Sequence, residues 1–160
     1  MEFPDEMRPV RFDHPDAVRL SALVQAEYRR RFGYDDMTPL HPDHFDPPYG
    51  LFLVAYREGR PVACGGWRAQ ETDDEGYANG DAELKRMFVV PEARGRGLAR
   101  GVLRALEDSA RAAGRVRMVL ETGTLLHEAM ALYVAGGYAP TAAFGPYRNH
   151  SDSRFFAKPL

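Results

Sequence analysis

Apolar residues in the first third of the chain recur at the spacing of an amphipathic helix. They are Val18, Leu20, Leu23, Val24 and Tyr28. The preceding Asp13-His14-Pro15 offers a capping side chain and an early proline, and Gly33 is a typical helix terminator. The pattern therefore predicts a helix that starts at this tripeptide and closes at Gly33. Before it, residues 1–8 are expected to be loose and residues 9–12 to form a short strand.

Three β-rich runs follow the first helix. They are residues 51–56, 61–68 and 81–90. Glu58-Gly59 predicts a tight hairpin turn between the first two, and the acidic stretch 71–80 is expected to be a solvated hairpin tip. Residues 34–50 are rich in proline and weakly periodic, so we expect a long loop with a short helix. Loops of this length are more often functional than idle.

The second half of the chain alternates helical and extended patterns. Residues 94–113 place Leu98, Val102, Leu106 and Ala110 on one helical face, with Gly114 as terminator. The remaining predicted elements are a strand at 116–120, a helix at 128–135, a strand starting at 138–143 and a last strand at 154–158. This order predicts an α+β fold with a mixed sheet.

Composition and charge restrict the function further. The 160 residues suit one compact domain, spanning 1–160, and a hydrophobic content of 44% suffices for its core. A net charge of -2 without a basic stripe predicts no nucleic-acid partner. We expect no membrane partner, because no apolar run is long enough to span a bilayer. The single cysteine and the absence of a signal peptide predict a cytoplasmic location.

The strongest functional signal is a glycine turn between a strand and a helix. Val89-Val90-Pro91 ends the strand, and Arg94-Gly95-Arg96-Gly97-Leu98-Ala99 follows. A turn at a helix start presents free backbone N–H groups and partial positive charge, which suits a phosphate or pyrophosphate. The turn lacks the Gly-Lys-Ser/Thr of a P-loop. It also has Arg100 where a dinucleotide fingerprint needs a small residue.

Arg94-x-x-Gly97-x-Ala99 after a Val-Val-Pro strand end resembles motif A of the GNAT acyl-CoA N-acyltransferases. Residues 83–90 resemble the fourth strand of that family, residues 115–121 its fifth, and residues 131–138 its motif B. The resemblance implies a GNAT fold: a mixed, mostly antiparallel sheet with helices on both faces and a V-shaped splay between strands four and five. The family's usual asparagine after the fifth strand is replaced here by Glu121-Thr122-Gly123-Thr124.

The resemblance also implies a function. It indicates an N-acetyltransferase that moves an acetyl group from acetyl-CoA to a primary amine of a small molecule, without a metal. One alternative is a catalytically silent acyl-CoA sensor or scaffold domain, and another is a protein or peptide acetyltransferase. A homodimer through the C-terminal strands is possible by family analogy.

Site residues follow by position in the motifs. The predicted cofactor-binding residues are Met87, Phe88, Val89, Val90, Arg94, Gly95, Arg96, Gly97, Leu98 and Ala99. Tyr133 is the candidate general acid, although helical periodicity alone would place it in the core with Met130 and Val134. Glu83 is the candidate base, with an exposed strand position as the alternative. Glu121 is a second candidate base or an anchor for a cationic acceptor.

Other reactive side chains carry weaker signals. Arg68, beside Trp67 at a strand end, could line the acceptor cleft or only pack. Cys64 lies in a strand of small residues, which favours a buried structural thiol over a nucleophile. His41-x-x-His44 is too little for a metal site.

Overall fold

The computed structural model describes residues 6–160, and all its strands belong to one sheet. The strands are β1 Met7–Pro9, β2 Gly50–Arg57, β3 Arg60–Gln70, β4 Asp81–Val89, β5 Arg117–Gly123, β6 Ala139–Pro140 and β7 Ser153–Pro159. The helices are α1 Pro15–Phe32, α2 Leu98–Ala112 and α3 His127–Ala135. Single 3₁₀ turns lie at Pro42–Phe45, Asp74–Gly76 and Pro91–Ala93. None of the helices within residues 6–160 is long and apolar enough to cross a bilayer.

The sheet has the order β1-β2-β3-β4-β5-β7-β6, and only the β4–β5 pair is parallel. That pair is short: it runs from Asp81 opposite Arg117 to Glu83 opposite Val119 and then ends. The rest of β4 and the rest of β5 therefore diverge. This confirms the predicted mixed, mostly antiparallel sheet and its splay between the fourth and fifth strands.

A β-bulge interrupts β4 at the point where it leaves β5. The register between β3 and β4 shifts between Cys64 and Gly66, and Arg86 has a left-handed backbone with φ of 61°. The bulge turns both Lys85 and Arg86 toward the α1 side of the sheet, where both contact Asp36. Side chains therefore do not simply alternate between the two faces along β4, because the bulge adds one residue to the period.

Two apolar clusters cover the two faces of the sheet. One packs α2 and α3 against residues such as Leu53, Trp67 and Leu120. The other packs α1 and the 3₁₀ turn with Phe45 against Phe52 and Phe88. Helices on both faces are thus confirmed. Met87 lies on the α2 face: a side chain added at Gly65 would collide with its sulfur and with Leu106. Met87 and Lys85 therefore lie on opposite faces of the sheet, although strict alternation along β4 would place both on one face.

Several element boundaries differ from expectation. Met7 and Arg8, expected to be loose, pair with Ala55 and Val54 as β1; residues 1–5 lie outside the described residues. Residues 10–12 are not a strand. Helix α1 is capped by His14, whose Nδ1 accepts from the Asp16 N–H at 3.1 Å, while Gly33 ends it as predicted. Helix α2 begins at Leu98, not at residue 94, because left-handed glycines interrupt the turn before it.

Candidate functional site

A cavity of about 750 Å³ opens where β4 and β5 diverge. Residues 84–89 of β4 form one wall and Leu120–Gly123 of β5 the other. The start of α2 and the side of α3 also line the cavity, and we call this part the donor end, after the role expected from the sequence. Helix α1, residues 34–36 and Tyr147 line it as well, and we call this part the acceptor end. The splay of a parallel strand pair thus creates a site within the sheet itself.

At the donor end, the glycine turn leaves the start of α2 uncapped. Gly97 occupies the N-cap position in a left-handed conformation, and no side chain among residues 6–160 caps the helix. Gly101 donates the first bond of the helix, to the Gly97 carbonyl, so the N–H groups of Leu98 to Arg100 have no acceptor in the helix. These donors face the cavity end, where an anion would be stabilised.

Eight of the ten predicted cofactor-binding residues line the cavity. They are Met87, Phe88, Val89, Arg94, Gly95, Gly97, Leu98 and Ala99, and Arg100 joins them. Val90 instead packs into the α1-side cluster, and Arg96 is exposed outside the lining. The Arg94 Nε donates to the Val89 carbonyl at 2.9 Å, which holds this guanidinium beside the turn.

Tyr133 projects from α3 into the same cavity. Its side chain is buried, and its ring lies edge-on to Tyr138 with centroids 5.7 Å apart. Among residues 6–160 its hydroxyl has no hydrogen-bond partner. Burial, and then the charge of Glu121, raise the pKa of Tyr133, so the phenol stays protonated near neutral pH. The alternative apolar stripe is incomplete, since Val134 on the same helix is exposed.

Glu121 lines the opposite wall of the cavity, on β5. Burial raises the pKa of Glu121 above its ordinary value, and the charge of Lys85 opposes that shift. Tyr133 lines the same cavity from α3. A carboxylate with a raised pKa and a protonated phenol in one cavity can serve as a base and an acid in transfer chemistry.

Glu83 is buried behind the cavity wall and is not among its lining residues. One carboxylate oxygen accepts from Arg68 Nε at 2.7 Å and from Gln70 Nε2 at 3.1 Å, and the other accepts from the Tyr77 hydroxyl at 2.9 Å. The alternative of an exposed strand position for Glu83 is therefore wrong. Three donors already occupy its oxygens.

Arg68 also lies outside the cavity lining. Besides its ion pair with Glu83, its Nη1 donates to the Pro39 carbonyl at 3.1 Å. It thereby attaches the long segment after α1 to β3. Tyr77, from the acidic hairpin predicted to be solvated, is buried against Glu83. That part of the hairpin is packed rather than free.

An ion cluster at the acceptor end was missed by sequence reasoning. Asp36, from the segment after α1, contacts Lys85 Nζ at 2.8 Å and Arg86 Nη2 at 3.4 Å. Burial alone would raise the pKa of Asp36, but Lys85 and Arg86 outweigh it, so the pKa lies well below its ordinary value. Nothing in the sequence pairs residues 36 and 85. The only signal was two adjacent cations in a strand that should be half buried.

The remaining candidates have structural roles. Cys64 is fully buried, its thiol approaches the Arg86 carbonyl at 3.2 Å, and burial raises its pKa to about 12. The rings of His41 and His44 accept backbone N–H groups around a 3₁₀ turn. Trp67 is buried and donates to Ser109 on α2. No cluster of metal-binding side chains occurs within residues 6–160.

Comparison with known protein families identifies the family of the chain. Residues 17–138 match the acetyltransferase (GNAT) family. The chain belongs to this family. It is therefore an acyl-CoA-dependent N-acetyltransferase, and acetyl-CoA is the acyl donor that the family uses.

Individual relatives agree with this assignment. An IAA acetyltransferase of Azospirillum brasilense is 47% identical over 109 residues, covering 68% of this chain and 67% of the relative. The uncharacterised N-acetyltransferase YjgM of Escherichia coli K12 is 34% identical, with 79% and 76% covered. A structure from Klebsiella pneumoniae, provisionally described as an acyl-CoA N-acyltransferase, has a TM-score of 0.79 at 30% identity, with 96% of each chain covered.

Proposed function

We propose that this GNAT acetyltransferase transfers an acetyl group from acetyl-CoA to the primary amine of a small molecule, with both substrates bound at once. One observation carries the proposal. A single cavity contains the uncapped start of α2 at one end, and Tyr133 and Glu121 between its walls. Holding two substrates together removes the entropic cost of their encounter, so no covalent intermediate on the protein is required.

The donor end fits the pyrophosphate of acetyl-CoA. The free N–H groups of α2, the open space above Gly95 and Gly97, and the guanidinium of Arg94 would receive it. The edge of β4 beyond Glu83 has lost β5 as a partner, and an extended pantetheine arm would lie along Met87 to Val89. Acetyl-CoA supplies the thioester whose carbonyl carbon the amine attacks.

Tyr133 and Glu121 would divide the proton transfers. An alkylamine has a pKa of about 10, so it arrives charged and must lose a proton before attack. The raised pKa of Glu121 suits it as that base. As the N–C bond forms and the C–S bond breaks, Tyr133 gives its proton to the sulfur. The nitrogen loses a second proton as the amide forms, and this proton returns to the Tyr133 phenolate, while Glu121 releases the first proton to solvent.

The acceptor end favours a small molecule over a protein. The Met37 N–H donates to the Tyr147 hydroxyl, which in turn donates to Asp36 at 3.1 Å. These bonds join the segment after α1 to the loop before β7, beside the cavity. A protein lysine would need an open groove here. Glu83 and Arg68 would act indirectly, by fixing β4 and the long segment.

The first test is calorimetric titration of acetyl-CoA, followed by thiol release with a panel of small amines. We expect binding and amine-dependent turnover. Binding without turnover on a broad panel would instead indicate a sensor or scaffold domain. Turnover restricted to peptides would indicate a protein acetyltransferase.

A second test separates the two candidate bases. We expect Glu121→Gln to lower kcat about 10²-fold or more and to flatten the fall of kcat on the acid side, because the raised pKa of Glu121 produces that limb. Glu83→Gln should keep the limb. Loss of the limb in Glu83→Gln alone would assign the base to Glu83.

A further inference from the structure

Arg86 is a buried cation whose hydrogen-bonding capacity is largely unused. The residue is 7% exposed, and it lines the acceptor end of the cavity. Its Nη1 reaches the Ser21 hydroxyl at 3.3 Å, and within residues 6–160 its Nε has no hydrogen-bond partner. A guanidinium carries five N–H donors, and buried unsatisfied donors are costly. The Nε is itself inaccessible, but Nη1 and Nη2 each carry a second N–H beyond their contacts with Ser21 and Asp36, and an acceptor in the cavity would use these.

The charges around Arg86 do not cancel locally. Asp36 faces both Lys85 and Arg86, so one carboxylate serves two cations. Its other oxygen accepts from the Thr38 N–H at 3.0 Å and the Tyr147 hydroxyl at 3.1 Å. Glu27, an acid of the cavity lining on α1, pairs with Arg30 and Arg31. The group formed by Asp36, Lys85 and Arg86 therefore carries one net positive charge.

Arg86 and Glu121 line the same cavity, one from β4 and one from β5, and Tyr28 of α1 belongs to that lining too. A ligand that fills the cavity would therefore meet both side chains. A carboxylate meets guanidinium geometry well, through two parallel bonds.

We infer that the acceptor is an amine that also carries a carboxylate, as an amino acid does, with the carboxylate bound at Arg86 and the amine directed to Glu121. This inference rests on the proposed function and specifies its substrate class. Arg86 is then a specificity-determining residue. It acts on substrate binding and on the choice between acceptors, while Tyr133 and Glu121 handle the protons.

The test compares acceptors that differ only in the carboxylate. Each amino acid of a panel is assayed with acetyl-CoA beside its carboxamide and its decarboxylated amine. We expect the best acid to exceed its carboxamide at least 100-fold in kcat/KM. Arg86→Gln should reduce that ratio to a few-fold, mainly through KM, and Arg86→Lys should restore part of it.

Arg115→Gln is the matched control. Arg115 is also a largely buried arginine with nitrogens that lack hydrogen bonds within residues 6–160, but it pairs with Glu71 outside the cavity. This variant should keep the acid-to-amide ratio of the wild type. Thermal unfolding and acetyl-CoA affinity, measured for all variants, identify any that fail to fold.

Two results would overturn the inference. Neutral amines acetylated as well as or better than their carboxylated counterparts would refute it and leave the proposed function intact. The inference would also be refuted, with the proposed function intact, if Arg86→Gln lowered kcat/KM equally for the acids and for their carboxamides. If no amine of any class is acetylated although acetyl-CoA binds, the proposed function fails, and this inference fails with it.

Discussion

Two neighbouring tyrosines show how a single side chain acquires a chemical or a structural role. Tyr133 and Tyr138 stack edge to face, and both are buried. The Tyr138 hydroxyl donates to Glu107 at 2.7 Å, on the side of α2. The Tyr133 hydroxyl faces the cavity instead, without a partner among residues 6–160. Of the two hydroxyls, only that of Tyr133 is available for proton transfer.

Replacing each hydroxyl should therefore have opposite consequences. We expect Tyr133→Phe to lower kcat about 10²-fold or more with little change in acetyl-CoA affinity, because an acid contributes to the transition state. Tyr138→Phe should keep kcat within a few-fold but cost about 1–3 kcal/mol of unfolding free energy, because the buried Glu107 loses a donor. Steady-state kinetics and urea unfolding measure both effects. Unchanged kcat in Tyr133→Phe would remove it from the chemistry.

The start of α2 is the element at which we propose that the acyl donor binds. Its N-terminal donors are free because Gly97 takes a left-handed conformation and carries no capping side chain. A side chain at Gly97 would meet open space in the protein itself, so its main steric effect falls on the ligand.

Gly97→Asp should accordingly weaken acetyl-CoA binding at least 100-fold, since a carboxylate would compete with the pyrophosphate for the same N–H groups. Gly59→Asp is the matched control. The backbone of Gly59 has φ of +75°, close to the +79° of Gly97, and a side chain there would also meet no atom within 4 Å. Gly59 lies in the β2–β3 hairpin. Both variants should lose similar stability, about 1–3 kcal/mol, from backbone strain. Equal affinity in the two variants, measured by calorimetry, would place the pyrophosphate elsewhere.

For the molecule as a whole, Asp36 joins parts that are distant in sequence. It contacts β4 through Lys85, the loop before β7 through Tyr147, and α1 through backbone bonds with Gln25. Because the folded-state pKa of Asp36 lies below its unfolded value of 3.8, its charged form stabilises the fold above that pH. The contribution is lost progressively as the pH falls below about 4.

Asp36→Asn should thus cost about 3 kcal/mol of unfolding free energy at pH 7, where two buried cations lose their counter-ion, and less at pH 3. Asp35→Asn is the control, since Asp35 pairs with Arg29 at a more exposed site, where pairs contribute about 0–1 kcal/mol. Urea unfolding at the two pH values measures the difference. A loss for Asp36→Asn that is the same at both pH values would contradict the assigned ionisation.

The sequence by itself determined the α+β class, the order of the main elements and the glycine turn, because hydrophobic periodicity and turn chemistry are local properties. The GNAT resemblance predicted the splay and most of the lining of the donor end. It could do so because motif A is one continuous segment and is therefore a local property as well. Tyr133 lies in the second continuous motif.

Tertiary structure alone decided the acceptor end. The bulge at Arg86 reverses the alternation of β4, and no local pattern marks it. The contacts of Asp36 with Lys85, and of Glu83 with Arg68 and Tyr77, join residues far apart in sequence. Which carboxylate faces the cavity depends on where β4 and β5 separate, and this is a property of strand pairing across the whole sheet.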